Sequence, residues 1–112
     1  MMMKTCYLGI GEVVATFNLD GNGEIGDFVK MSGNGTVAVC SQTDNPIGKI
    51  SSKSGDVVGI QLKGYMEGKI SGTGHTLGHL KISAAAGSVA VSANGTPVLV
   101  VYKDADKIGF FI

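Results

Sequence analysis

The chain of 112 residues contains no arginine and no tryptophan, and only two cysteines and two prolines. All nine basic residues are lysines, and they balance nine acidic residues, so the formal net charge is zero. Arginine supplies the bidentate contacts that grip phosphate and read guanine, and nucleic-acid binding usually shows clustered positive charge. The composition therefore argues against a nucleic-acid partner.

The two cysteines, Cys6 and Cys40, allow at most one disulfide. A chain of this length with so few cysteines is not a disulfide scaffold, which favours two buried free thiols in a reducing compartment. Glu12 interrupts the apolar N-terminal stretch and no small-residue cleavage pattern follows, so a secretory signal is not predicted. The uncharged run 82–102 contains too many serines and glycines for a membrane span. It favours a hairpin with its turn at Asn94-Gly95, in a soluble protein without a membrane partner.

The abundant residues are the turn formers. Eighteen glycines include three Asn-Gly pairs and one Asp-Gly pair, at positions 22–23, 34–35, 94–95 and 20–21. Such pairs tolerate positive φ and close tight hairpins. Between the turns, alternating and β-branched segments predict strands. They cover residues 13–18, 27–31, 36–41, 49–52, 57–62, 65–70, 79–82, 88–92, 98–102 and 108–112.

This pattern predicts an all-β fold: a compact barrel or sandwich of about eight to ten short, largely antiparallel strands joined by Gly-rich hairpins. At most one short helix is expected, near residues 76–80 or 83–86. We expect an N-terminal arm or first strand over 1–11 and a single β-rich domain over 12–112, without a linker or an internal repeat. The apolar C-terminal strand must be paired or covered. The hydrophobic fraction of 44% suggests that some apolar surface faces another subunit.

No catalytic, cofactor or metal site is predicted. Residues 18–25 resemble part of a calcium-binding loop, but Val29 stands where the bidentate glutamate belongs, so a plain turn is favoured. The G-x-G-x-x-G match at 21–26 lacks the helix that a dinucleotide fingerprint requires. His75 and His79 stand four residues apart, which on a strand is too far to share a metal ion. A surface or interface role is favoured for both histidines.

Several strings, taken in order, resemble the small capsid decoration (cement) proteins of tailed bacteriophages and prophages. They are EIGDFVK (24–30), NGTV (34–37), DNPIGKI (44–50), GDVVGIQLKGYME (55–67), LG (77–78), GTPVLVV (95–101) and IGFFI (108–112). Each string is a strand bounded by a glycine turn, and their order covers roughly residues 12–112. The segment 1–11 matches no part of the family pattern.

The resemblance implies a non-enzymatic structural protein of the virion, made in the bacterial cytoplasm. It would sit as a homotrimer on the outer capsid surface, where it would bind the major capsid protein and stabilise contacts between capsomers. The residues assigned to capsid or subunit contact are Met1, Met2, Met3, Tyr7, Leu8, Tyr65 and Met66. The alternative is a small β-rich module that binds a ligand or carbohydrate through loops around His75, His79 and Tyr65.

Overall fold

The computed structural model describes residues 11–41 and 44–112 and confirms the all-β prediction, since these residues form strands and turns but no helix. The ten strands are β1 (Val13–Leu19), β2 (Phe28–Gly33), β3 (Thr36–Val39), β4 (Gly48–Ser54), β5 (Val57–Lys63), β6 (Tyr65–Ile70), β7 (Gly78–Ala85), β8 (Ser88–Val91), β9 (Thr96–Lys103) and β10 (Lys107–Phe111). The prediction of at most one short helix is confirmed, and β7 occupies most of the two segments, 76–80 and 83–86, where a helical turn was considered. Its residues Leu80, Ile82 and Ala84 alternate toward the core with the period of a strand.

The ten strands form two closed five-stranded barrels, one from each half of the chain. Around the first barrel the order is β1-β3-β2-β4-β5, with β5 returning to β1. Around the second it is β6-β8-β7-β9-β10, with β10 returning to β6. The contacts β1 to β3 and β6 to β8 are parallel, and all the others are antiparallel.

The second barrel repeats the topology of the first, so the expectation of no internal repeat is wrong at the level of structure. When β1 to β5 are matched in order with β6 to β10, the two barrels have the same strand order and the same parallel contact. The register is also kept across β4–β5 and β9–β10. The pairs Ile50↔Ile60, Ser52↔Gly59 and Lys53↔Val58 recur 50 positions later as Val100↔Phe110, Tyr102↔Gly109 and Lys103↔Ile108.

The residue pairs of the two parallel contacts also correspond. Asn18↔Thr36 and Leu19↔Val37 in the first barrel correspond to Lys69↔Ser88 and Ile70↔Val89 in the second. Their flanking hydrogen bonds correspond too, because Asn18 N–H donates to the Gly35 carbonyl and Lys69 N–H donates to the Gly87 carbonyl. Asn18 and Leu19 of β1 thereby have structural counterparts in β6, and Thr36 and Val37 of β3 have counterparts in β8.

Each barrel has its own apolar core, and two residues from the first half of the chain, Phe28 and Cys40, belong to the second core. The first core contains Leu19, Val29, Val37, Ile50, Val58 and Ile60. The second core is built mainly from β6 to β10, but Phe28 of β2 belongs to it and stacks on Phe110 with ring centroids 6.0 Å apart. Because an aromatic side chain contributes a large buried area, Phe28 is the main apolar link between the barrels.

Backbone hydrogen bonds join the barrels beside Phe28, in a region that we call the seam. Ala86, in the turn between β7 and β8, accepts a bond from Phe28 N–H and donates its own N–H to the Cys40 carbonyl. Ala86 has φ of 50°, which is unfavourable for alanine, and these two bonds hold it there. Asp44 forms an isolated bridge with Ala84, and its carboxylate accepts hydrogen bonds from Lys30 and Ser41.

Only one of the four Asn-Gly and Asp-Gly pairs closes a hairpin between consecutive paired strands. Asn34-Gly35 joins β2 to β3, with Gly35 at φ 62°. The hairpin predicted at Asn94-Gly95 is wrong, because β8 and β9 do not pair with each other and instead lie on opposite sides of β7. The C-terminal strand is paired as expected, with β6 on one side and β9 on the other.

Gly59 of β5 and Gly109 of β10 are equivalent positions with different neighbours. The Tyr65 ring lies against Gly109, and a Cβ atom there would overlap the ring. A Cβ on Gly59 would overlap the hydroxyl of the exposed Ser52, which can rotate away, and would make ordinary contacts with Val14 and Ser51. Tyr65 is 7% exposed and its hydroxyl donates to Glu67, so it has little freedom to move.

We therefore expect Gly109→Ala to lower the free energy of unfolding by about 1–3 kcal/mol, as overpacking of a filled site does. Gly59→Ala is the matched control, with an expected cost below about 1 kcal/mol. Chemical denaturation of both variants measures the difference. Equal costs would show that the Tyr65 contact does not restrict position 109.

Candidate interaction surface

The histidines lie in different surroundings. His75 is 5% exposed, and its Nε2 lies 2.9 Å from the Val89 carbonyl oxygen. The surface role predicted for His75 is therefore wrong, because hydrogen bonding to the backbone lets the ring be buried. His79 is exposed on β7. The two histidines line separate concavities, and Tyr65 lines neither, so the three do not converge on one site in the part of the chain described.

Groups with metal-ligating chemistry do not cluster. Across residues 11–41 and 44–112, no three His, Cys, Asp or Glu side chains are placed to hold a metal ion. Cys40 is a buried free thiol at the seam, and Cys6 lies outside the described residues. Burial, and secondarily the charge of Asp44, raises the pKa of the Cys40 thiol to about 11. A thiol in this state is a poor nucleophile at neutral pH.

Of the residues assigned to capsid or subunit contact, two can be placed. Met1, Met2, Met3, Tyr7 and Leu8 lie outside the described residues. Met66 is 3% exposed in the second core, and Tyr65 packs against Gly109 and against the Phe111 ring, 5.7 Å away between centroids. Both side chains are thus largely covered within the chain.

The best candidate for an interaction surface is on the second barrel, where exposed apolar side chains of β8 and β9 lie near His79 and Lys81 of β7. Across β7 and β9, His79 is paired with Leu99, and Lys81 with Pro97. Val91 of β8 is 39% exposed, and Leu99 is 38% exposed. We call His79, Val91, Pro97 and Leu99 the second-barrel face.

A concavity of about 450 Å³ opens beside this face. It is lined by His79, Leu80, Lys81, Val91, Ser92, Ala93, Pro97 and Val98. Apolar side chains form most of its wall, while His79 and Lys81 supply polar groups at β7. The arrangement suits insertion of an apolar side chain from a partner, with a hydrogen bond at its margin.

Exposed apolar side chains of the first barrel are more dispersed. Val13 and Val14 lie at one end of β1, and Val57 of β5 is paired with Asn18 near its other end. Met31 lies on β2, and Ile25 lies in the loop before it. Single exposed apolar residues are normal on protein surfaces, whereas grouped ones mark contact sites.

The sequence contains a signal for the second-barrel face. Residues 98–101 are apolar without interruption, and a strand of this kind carries apolar side chains on both sides. In β9, Val98 and Val100 fill the core while Leu99 is left outside. Sequence reasoning identified the strand but not the consequence for its outer side.

Comparison of the chain with protein-family models, with curated proteins and with solved structures finds no match. The described residues contain no helix that is long and apolar enough to cross a membrane.

The reactivity of the Cys40 thiol tests whether the seam is closed to solvent in the native protein. In a Cys6→Ser variant, we expect Cys40 to react with an alkylating reagent at pH 8 at least about a hundredfold more slowly than free cysteine, because its raised pKa and burial suppress the thiolate. Mass spectrometry over time measures the rate, and the same variant unfolded in denaturant is the control. Labelling of the native protein at the free-cysteine rate would mean that the seam is open.

Proposed function

We propose that the chain is a non-enzymatic structural protein that decorates the outer surface of a phage capsid as a homotrimer and binds the major capsid protein. The observation that carries the proposal is the ordered set of strings between residues 24 and 112. These strings supply most of the buried framework of both barrels. Their buried members include Phe28, Val29, Ile50, Ile60, Val98, Val100 and Phe110.

The closure of both sheets supports this proposal, because it restricts the ways in which the chain can associate with partners. In a closed barrel every strand has two neighbours, so residues 11–41 and 44–112 leave no long sheet edge to pair with other chains. Association must then use side chains, and the second-barrel face offers a group of them. A stable interface needs about 1,000 Å² or more of buried surface, and three copies on a repeated lattice gain further strength from avidity.

A second candidate function is binding of a small apolar ligand or carbohydrate, and the concavity of about 450 Å³ beside the second-barrel face favours it. Its volume falls within the range of ligand pockets. The originally suggested site around His75, His79 and Tyr65 is not supported, because these residues line no common concavity. A thermal-shift screen with glycans separates the two functions, since a binding module gains stability from its ligand.

The test of the decoration role is association. We expect sedimentation velocity to show a trimer, and Leu99→Asp to raise the dissociation constant at least about tenfold, because a carboxylate would be desolvated in the interface. Val57→Asp changes a residue of similar exposure on the first barrel and is the matched control, expected to remain trimeric.

The same proteins should be added to phage heads that lack a decoration protein. Electron cryomicroscopy is expected to show density at local three-fold positions with the unmodified chain and with Val57→Asp. A chain that stays monomeric at high concentration and leaves the heads undecorated would refute the proposal. Equal effects of the two substitutions would exclude the second-barrel face as the contact.

A further inference from the structure

A second concavity lies at the seam and has a different character. Its volume is about 240 Å³, and it is lined by Gly26, Lys49, Glu67, Gly68, Lys69, Gly87 and Lys107. Lys49 belongs to the first barrel, whereas Glu67, Lys69 and Lys107 belong to the second. The three glycines leave the floor without side chains, so the lysine ammonium groups are the main polar groups there.

The single carboxylate of this concavity already has two donors. Lys107 Nζ lies 3.1 Å from Glu67 Oε1, and the Tyr65 hydroxyl donates to Oε2 at 2.9 Å. Lys107 and Glu67 thus largely balance each other. Lys49 and Lys69 are not matched by a second carboxylate among the residues that line the concavity, although the charge of Asp27 also acts on Lys49.

Two contacts position the ammonium group of Lys49. Its Nζ donates to the backbone carbonyl of Glu67 at 2.6 Å and lies 5.3 Å from the centroid of the Phe28 ring. Neither Lys49 nor Lys69 takes part in an ion pair within the described residues. Burial lowers the pKa of Lys49, although the charges of Glu67 and Asp27 oppose this effect. An ammonium group has three donors, so Lys49 keeps hydrogen-bonding capacity toward the concavity.

The repeat shows that the barrel does not require these lysines. The counterpart of Lys69 in the first barrel is Asn18, which makes the same backbone bond to a turn glycine. The counterpart of Lys107 is Val57, since Asn18↔Val57 corresponds to Lys69↔Lys107. An uncharged pair therefore satisfies the same topology, so the topology does not account for the charge of Lys69, whereas Lys107 pairs with Glu67.

We propose that the seam concavity binds an oxyanion, either a carboxylate or a phosphate group, between Lys49, Lys69 and Lys107. Charge-assisted hydrogen bonds from ammonium groups to such oxygens are short and about twice as strong as neutral ones. The proposal goes beyond the decoration role and does not rest on it, because it concerns a monomer's own surface.

The experiment is a nuclear magnetic resonance titration of the isotope-labelled full chain. Inorganic phosphate and acetate are added in separate arms at constant ionic strength, with sodium chloride as the reference salt. We expect saturable shifts of the Gly26, Gly68 and Gly87 amide signals. Saturation by both anions indicates a site that accepts either oxyanion, saturation by phosphate alone indicates a phosphate site, and saturation by acetate alone indicates a carboxylate site.

Lys69→Asn reproduces the first-barrel residue and is expected to fold and to weaken anion binding at least about tenfold. Lys107→Gln is a second variant at the same site, with the same expected loss. Lys63→Gln removes the same charge from an exposed position outside the concavity and serves as the control. The proposal is overturned if chloride gives the same shifts, if no signal saturates, or if Lys63→Gln weakens binding as much as the seam variants.

Discussion

Closure of each barrel depends on a parallel contact only two residue pairs long. In the first barrel it joins Asn18 and Leu19 to Thr36 and Val37, and in the second it joins Lys69 and Ile70 to Ser88 and Val89. Without this contact each sheet would have two open edges, with unpaired backbone groups that attract other strands. The first strand of each half must therefore cross to the third, and the remaining strands follow an antiparallel order around the ring.

Because both sheets are closed, we expect binding to other molecules to use the outer side chains and the seam. Phe28 fills the second core, and the turn at Ala86 completes the backbone bonds beside it, so the region between the barrels is a defined structure. Two surfaces of different chemistry result, one with exposed apolar side chains on β8 and β9 and one with several lysines at the seam. The first suits contact with a protein, and the second suits a charged oxygen ligand.

Strand positions were predictable because alternation and turn residues are local signals. The strand over 65–70 was predicted with the bounds that β6 has, and all ten predicted strands correspond to observed ones. Pairing was not predictable in the same way, because neighbours in sequence need not be neighbours in a sheet. The turn at Asn94-Gly95 illustrates this, since β7 lies between the two strands that it joins.

Neither the structural repeat nor the second-barrel face was predicted from the sequence, because both depend on which residues are in contact in the folded chain. Topology and register are conserved between the halves, but side chains differ, as Asn18 and Lys69 show, so the sequence carries little direct trace of the repeat. His75 was misassigned because burial of a polar ring depends on a carbonyl 14 residues away. Leu99 was missed because a continuous apolar strand does not reveal which of its sides is covered.

The confinement of all ten strand ladders to one half or the other also bears on folding kinetics. The widest ladder contacts within the halves join Val13 to Lys63 and Tyr65 to Phe111, and across the described residues the bridge between Asp44 and Ala84 is the one β-bridge that joins the halves. Folding slows as the sequence separation of native contacts grows. Closing each barrel within its own half therefore requires smaller sequence separations than a single barrel formed by the whole chain would, which favours faster folding.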